Sequence, residues 1–109
     1  MGEGMNSLMI EGTVAEKQKD SFILECRADD ATGKAMNAAR WRPIQNQGSF
    51  FVMAAGCSKS QMEAIETGQH LVVTGIAGGA FVFRANVPKT YYMGCQVIGM
   101  RMISARRLS

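Results

Sequence analysis

Five stretches of this chain alternate apolar and polar side chains with the period of a β-strand, and only one short stretch carries the signature of a helix. "NSLMIEGTV", residues 6–14, sets Leu8, Ile10 and Val14 on one face and Ser7, Glu11 and Thr13 on the other. "SFILECR" repeats the pattern through Phe22, Leu24 and Cys26, and "FFVMAAGC" resumes it with smaller residues. "QHLVVTGI" gives a fourth strand, and "MGCQVIGMRMI" a fifth. Between the third and fourth lies "SKSQMEAIETG". Here Ser58 with Gln61, or Ser60 with Glu63, forms a capping-box pattern, Met62 and Ile65 share a face, and Gly68 is placed to stop the helix.

Strand, strand, strand, helix, strand, strand is the order of the OB-fold. The chain is therefore expected to be all-β: a five-stranded OB-fold Greek-key barrel with one short helix between strands 3 and 4. Gly12, Gly56, Gly75 and Gly99 fall within or at the ends of these strands, where a closed barrel needs bends or bulges. At 109 residues and 47% hydrophobic composition the chain makes one domain over 1–109, with a core spanning 5–104. "ADDATGKAMNAARWRPIQNQGS" shows little periodicity and predicts a long loop over 28–49. "AGGAFVFRANVPKTYY", with Gly78, Gly79 and Pro88, predicts an extended hairpin over 77–90.

Charge is unevenly placed. Residues 1–30 hold seven acids against three bases, whereas residues 31–109 hold nine bases against only Glu63 and Glu66, a net +7. An asymmetry of this size suits a polyanion partner. Cys26, Cys57 and Cys95 stand thirty or more residues apart in apolar segments, which suits reduced core residues rather than a zinc site. The single histidine, His70, has no nucleophile or carboxylate at a suggestive spacing, and the adjacent Asp29 and Asp30 are weak evidence of a cation site, so neither an enzyme nor any cofactor or metal is expected. No run is long and apolar enough for a membrane span, and "MGEGMNS" lacks the features of a signal peptide, which points to the cytoplasm.

The only tryptophan stands in "ARWRP", where flanking guanidinium groups would be costly to draw into a core. An indole between cations on a surface provides what sequence-independent binding of single strands requires, a flat π face for bases and positive charge for phosphates. The candidate contacts are Lys34, Arg40, Trp41 and Arg42, the adjacent pair Phe50 and Phe51, and Phe81, Phe83, Arg84 and Lys89 in the predicted hairpin. Strand alternation sends one of Phe50 and Phe51 into the barrel and the other outward, which leaves one of the pair available to a ligand. Tyr91 and Tyr92 suit the core or an interface.

"MNSLMIEGTV" and "FFVMAAGCSKSQMEAIETGQHLVVTG" together resemble the bacterial single-stranded DNA-binding proteins, the first as their opening strand, the second as their third strand, helix and fourth strand. "TGQHLVVTG" resembles that family's pattern of spaced glycines and valine. The similarity runs over residues 5–76, and more loosely over 91–103. It implies an OB-fold subunit assembled as a homodimer or homotetramer that binds single-stranded DNA, or RNA, by base stacking, in replication, recombination or repair, and the stacking aromatic that the family carries at the head of its third strand favours Phe50. The chain departs from the family in ending "MISARRLS", where typical members continue to an acidic tip that recruits other proteins, and in having fewer aromatics. An OB-fold without that tip also resembles the primosomal replication protein N type, which implies an adaptor in replication restart. A third reading is a protein-interaction barrel that binds no nucleic acid.

Overall fold

One long strand has to serve two neighbours. In the computed structural model, which describes residues 6–40, 49–82 and 94–108, β1 (Ser7–Lys17) pairs antiparallel with β4 (His70–Val82) from Ser7 to Thr13, and with β2 (Ser21–Arg27) from Thr13 to Lys17. The register shifts between Val14 and Glu16, a bulge that sharpens the local twist. β2 continues antiparallel to β3 (Ser49–Ala55), β3 runs parallel to β5 (Gln96–Arg107), and β5 runs antiparallel to β4. The ring β1-β2-β3-β5-β4 is closed. This is the all-β OB-type barrel that the order of elements predicts.

Alternation fills the inside. Val14, Phe22, Leu24, Cys26, Val52, Ala54, Val73, Met100 and Met102 form the interior, each buried from solvent. Burying a side chain of valine or leucine size contributes about 1.5 to 3 kcal/mol, so this row dominates the stability of the fold. Met62 and Ile65, on and just after α2 (Lys59–Ala64), close one end of it. The capping box of α2 uses the first of the two predicted pairs: the Gln61 N–H donates to Ser58 Oγ at 3.2 Å and the Ser58 N–H donates to Gln61 Oε1 at 2.8 Å. Gln61 Nε2 also donates to the Ile103 carbonyl at 3.3 Å, which ties the helix to β5. The helix stops at Ile65 rather than at Gly68. Gly68, at φ +93°, instead turns the chain into β4 and donates its N–H to the Val14 carbonyl at 2.8 Å.

Besides the end of α2, and β1, which runs to Lys17 rather than stopping at Val14, three boundaries differ from the sequence expectation. The stretch 28–49 is not wholly a loop, because α1 (Asp30–Ala38) occupies its first half. Asp29 caps it, accepting from the Thr32 N–H at 2.9 Å and from Thr32 Oγ1 at 2.8 Å, and these bonds hold its carboxyl below the usual range. Arg40 ends the turn at φ +67°, with its N–H donating to the Asn37 carbonyl at 2.9 Å. Second, β4 runs on to Val82, six residues beyond the predicted Ile76, so the first arm of the 77–90 hairpin is the end of β4, and residues 83–93 lie outside the described residues. Third, β5 ends at Arg107 rather than at Ile103.

Cys26 and Cys57 are buried as expected, whereas Cys95 is only half-buried and not a core residue. Burial, with Glu25 and Glu11 nearby, pushes the Cys26 thiol up to about 12, and burial raises that of Cys57 with a smaller effect from Asp20. Among the described residues, no helix is long and apolar enough to cross a membrane.

Gly75 is the tightest position in the barrel. It sits beside the register shift between Thr74 and Gly75, where a Cβ would overlap the backbone carbonyl of Arg101 on β5. Backbone cannot swing aside as a flexible side chain can. Gly75→Ala is expected to lower the unfolding free energy by about 3 kcal/mol, the upper range for overpacking a well-filled site, as read by urea denaturation. Gly68→Ala meets nothing within 4 Å and carries only the cost of its positive φ. A Gly75→Ala protein as stable as wild type would contradict this account of the closure.

Candidate nucleic-acid interface

The outer wall of β2, β3, β5 and β4 is built by the residues that alternation turns away from the core. The ladders align Ile23 with Met53, Met53 with Gly99, and Gly99 with Gly79, one row across four strands. Beside it, Glu25 pairs with Phe51 and Val97 pairs with Phe81. Ile23, Phe51 and Val97 form a second apolar cluster, separate from the barrel interior, with Ala15 and Met53 packed against it. Phe51 is only 5% exposed there, while Phe50 is half-buried and packs against the interior cluster. Of the adjacent pair, Phe50 thus keeps the more open ring, although it is the one that faces inward.

Phe81 is different. It is 54% exposed, and its ring edge, at Cδ2 and Cε2, occupies the space that a Cβ on Gly99 would need. The ring is thus packed against a glycine of the neighbouring strand while about half of the residue stays in water. An aromatic half in water on a sheet surface suits base stacking.

The charges on this wall are mostly positive, Glu25 of β2 being the exception. β3, β4 and β5 contain no acidic residue, and β5 carries Arg101, Arg106 and Arg107; the strand acids are Glu11, Glu16 and Glu25, all on β1 and β2. Arg101 points outward between the inward-facing Met100 and Met102, and pairs across the sheet with Ala55 and Ile76. These three arginines are not among the candidates that the sequence suggests. The signal that could have found them is the alternation of β5 itself, since Met100 and Met102 at core positions force Arg101 to the surface.

The remaining candidates divide. Lys34 lies on α1 and Arg40 just after it, both exposed, and no residue of α1 is buried, so the helix presents them to solvent rather than packing them into the wall. Arg40 adopts the left-handed conformation that glycine or asparagine usually fills at a helix end, at a cost of about 1 to 2 kcal/mol. Trp41, Arg42, Phe83, Arg84 and Lys89 lie outside the described residues. Their described neighbours nevertheless converge: Ser49 begins β3, and Val82, the end of β4, pairs with Gln96, the start of β5. Ser49, Val82 and Gln96 thus stand at the end of the wall where Phe51, Val97 and Phe81 lie.

Elsewhere the chemistry is thin. His70 Nε2 lies 2.6 Å from Glu11 Oε2 across the β1–β4 seam, with side chains 39% and 62% exposed, a surface pair of a kind that contributes little. It is not legible in the sequence because its members are 59 positions apart. An open recess of about 560 Å³, lined by Glu66, Thr67, Gln69 and Arg107 among others, lies at the far end of the β4–β5 ladder from Phe81 and mixes both charges. Among the described residues, no three His, Cys, Asp or Glu side chains gather as a metal site would require.

In comparisons with known proteins, the chain matches no family model, no curated protein and no solved structure.

The two phenylalanines of the wall should respond differently to truncation. Phe51→Ala removes a buried ring and is expected to lose about 3 to 5 kcal/mol of stability, while Phe81→Ala, with one face already in water, loses about 1 kcal/mol. Urea unfolding of the two variants reads this directly, and equal losses would mean that Phe81 is a core residue and not a surface platform.

Proposed function

We propose that this protein binds single-stranded DNA without sequence preference, with bases stacked on aromatic rings of the outer wall and phosphates held by lysine and arginine, in replication, recombination or repair. The observation that carries the reading is Phe81, an exposed ring packed against Gly99, beside β3 and β5 in the part of the wall whose strands β3, β4 and β5 bear arginines and no acid. A stacked base contributes about 1 to 3 kcal/mol whatever its identity, because every base has a π face. Phosphates add a sequence-independent electrostatic contribution through counterion release. "RWR" at 40–42 precedes β3 in the sequence, and it supplies the indole whose emission can report binding.

Titration with oligo-dT while Trp41 emission is followed should show saturable quenching. The observed affinity should fall with salt at a log–log slope of about −0.7 for each phosphate contacted. Duplex of the same length should bind far more weakly, since its bases are already stacked on one another. Trp41→Ala is expected to weaken binding by about 1 to 3 kcal/mol without lowering the melting temperature. Equal affinity for duplex and single strand, or no dependence on salt, would overturn the reading.

Assembly as a homodimer or homotetramer belongs to the same proposal. Met9 is 71% exposed on β1, and Ile103, 51% exposed, lies on β5 at the bulge opposite Thr74, the residue that pairs with Met9. A second copy of the chain laid on this face removes both from water, in the self-complementary manner of two-fold dimers. Light scattering at micromolar concentration should give at least twice the 11.8 kDa chain mass. A monomer would remove the assembly while leaving the binding face to be judged by the titration.

A further inference from the structure

β5 pairs with β4 along its whole length, but with β3 only from Ile98 to Arg101. β3 ends at Ala55, and Gly56, at φ +75°, takes the chain off its line. The Cys57 N–H then donates to the Asp20 carbonyl at 3.0 Å, on the β2 side of β3, so β3 does not continue along β5. α2 meets the edge of β5 where Gln61 Nε2 donates to the Ile103 carbonyl. Among the described residues, no strand pairs with β5 on this side beyond Arg101, and Ser104, Ala105, Arg106 and Arg107 are all exposed. We infer that this open edge takes an extended, acidic segment of another protein as an added strand. It lies at the end of the β4–β5 ladder away from Phe81, so it stands independently of the nucleic-acid reading.

One bond sets the direction of the backbone groups. The Leu108 N–H donates to the His70 carbonyl at 2.8 Å, so residue 108 turns its bonding groups toward β4. Alternation turns those of Arg106, opposite Val72, the same way, and it turns the N–H and C=O of Ala105 to the open edge. The Ile103 carbonyl, which Gln61 reaches, points to that edge too. Open edges invite another strand. Charge decides which. Arg106 and Arg107 are adjacent and no acid stands on β5, so a second copy pairing edge to edge would bring two guanidinium groups from each chain into one short ladder. A strand with carboxylates is matched instead. Ala105 lies on the inner side, opposite Val73, and Glu66 lines the recess beside Arg107, whereas Arg106 is on the outer side with Val72. The added strand therefore alternates, with carboxylates outward beside Arg106 and small uncharged residues inward.

The test uses the full chain and a short peptide alternating aspartate and threonine, with asparagine in place of aspartate as the control probe. In amide hydrogen exchange, the free protein should show a fast Ala105 N–H beside a protected Arg106 N–H, and saturating aspartate peptide should slow Ala105 about tenfold or more. Arg106→Gln is expected to weaken the aspartate peptide about tenfold, the loss of one charge-assisted contact, and to leave the asparagine peptide unchanged. Ala105→Pro removes the outward N–H while keeping the bonds to β4, and should weaken binding at least as much. If that variant does not fold, exchange at Ala105 in the wild type still decides. An Ala105 amide already protected in the free protein, or unmoved by the peptide, overturns the inference, as do equal affinities for the two peptides. Protection that grows with protein concentration alone would assign the edge to a second copy and overturn it too. Protection by oligo-dT and not by the peptide would do the same, assigning these arginines to nucleic acid.

Discussion

The closure of the sheet through β1 is the constraint on which everything else depends. A strand that gives its first half to β4 and its second half to β2 leaves no open edge between them, so the backbone donors and acceptors of that seam are satisfied without a second molecule. Closure also fixes the two faces of every strand at once. A residue is either inside, where only apolar atoms are tolerated, or on a convex wall that neighbouring strands continue. The parallel contact of β3 with β5 completes the ring and aligns Met53 with Gly99. Without the closed register, Phe81 would have no glycine to lie on.

The outer wall shows how a structural need and a surface property share residues. Gly99 is a weak strand former that contributes no side chain of its own, and the ring of Phe81 replaces the missing cover from the next strand. The arrangement leaves an aromatic half in water, unlike Phe51 two strands away, which is buried with Ile23 and Val97. Two phenylalanines on one wall thus have different energetic roles, set by what stands beneath each ring.

The barrel was legible in the sequence because burial imposes alternation, and Leu24, Cys26, Val52 and Val73 keep that period where the interior is tightest. α2 was legible because its capping box is local, three residues from Ser58 to Gln61. α1 was not, since a helix with no buried residue has no need of an apolar stripe; only the cap at Asp29 and the run of alanines marked it. The far end of β4 was hidden for a similar reason: Gly79 and Ala80 are exposed on a projecting arm that, with Gly78, carries no alternation. Among the site residues, composition showed an excess of positive charge after residue 30 but not its address. The meeting of Phe81 with Gly99, eighteen residues along the chain, arises only when β4 and β5 pair in register.

The segregation of charge among the strands has a consequence at distances longer than any contact. Strands β1 and β2 carry Glu11, Glu16 and Glu25 against Lys17 and Arg27, a net −1, while the formal charges of β3, β4 and β5 together are arginines alone, a net +3. The strands therefore set up an uneven field whose positive side is β5, with Arg106 and Arg107 at the end of the β4–β5 ladder away from Phe81. Within about one Debye length, ~8 Å at physiological ionic strength, that field exerts a torque on the tumbling molecule before anything touches it. An anion passing the β5 side meets more positive charge than one passing β1 and β2. Approach is thus biased before contact, and raising the salt weakens the bias.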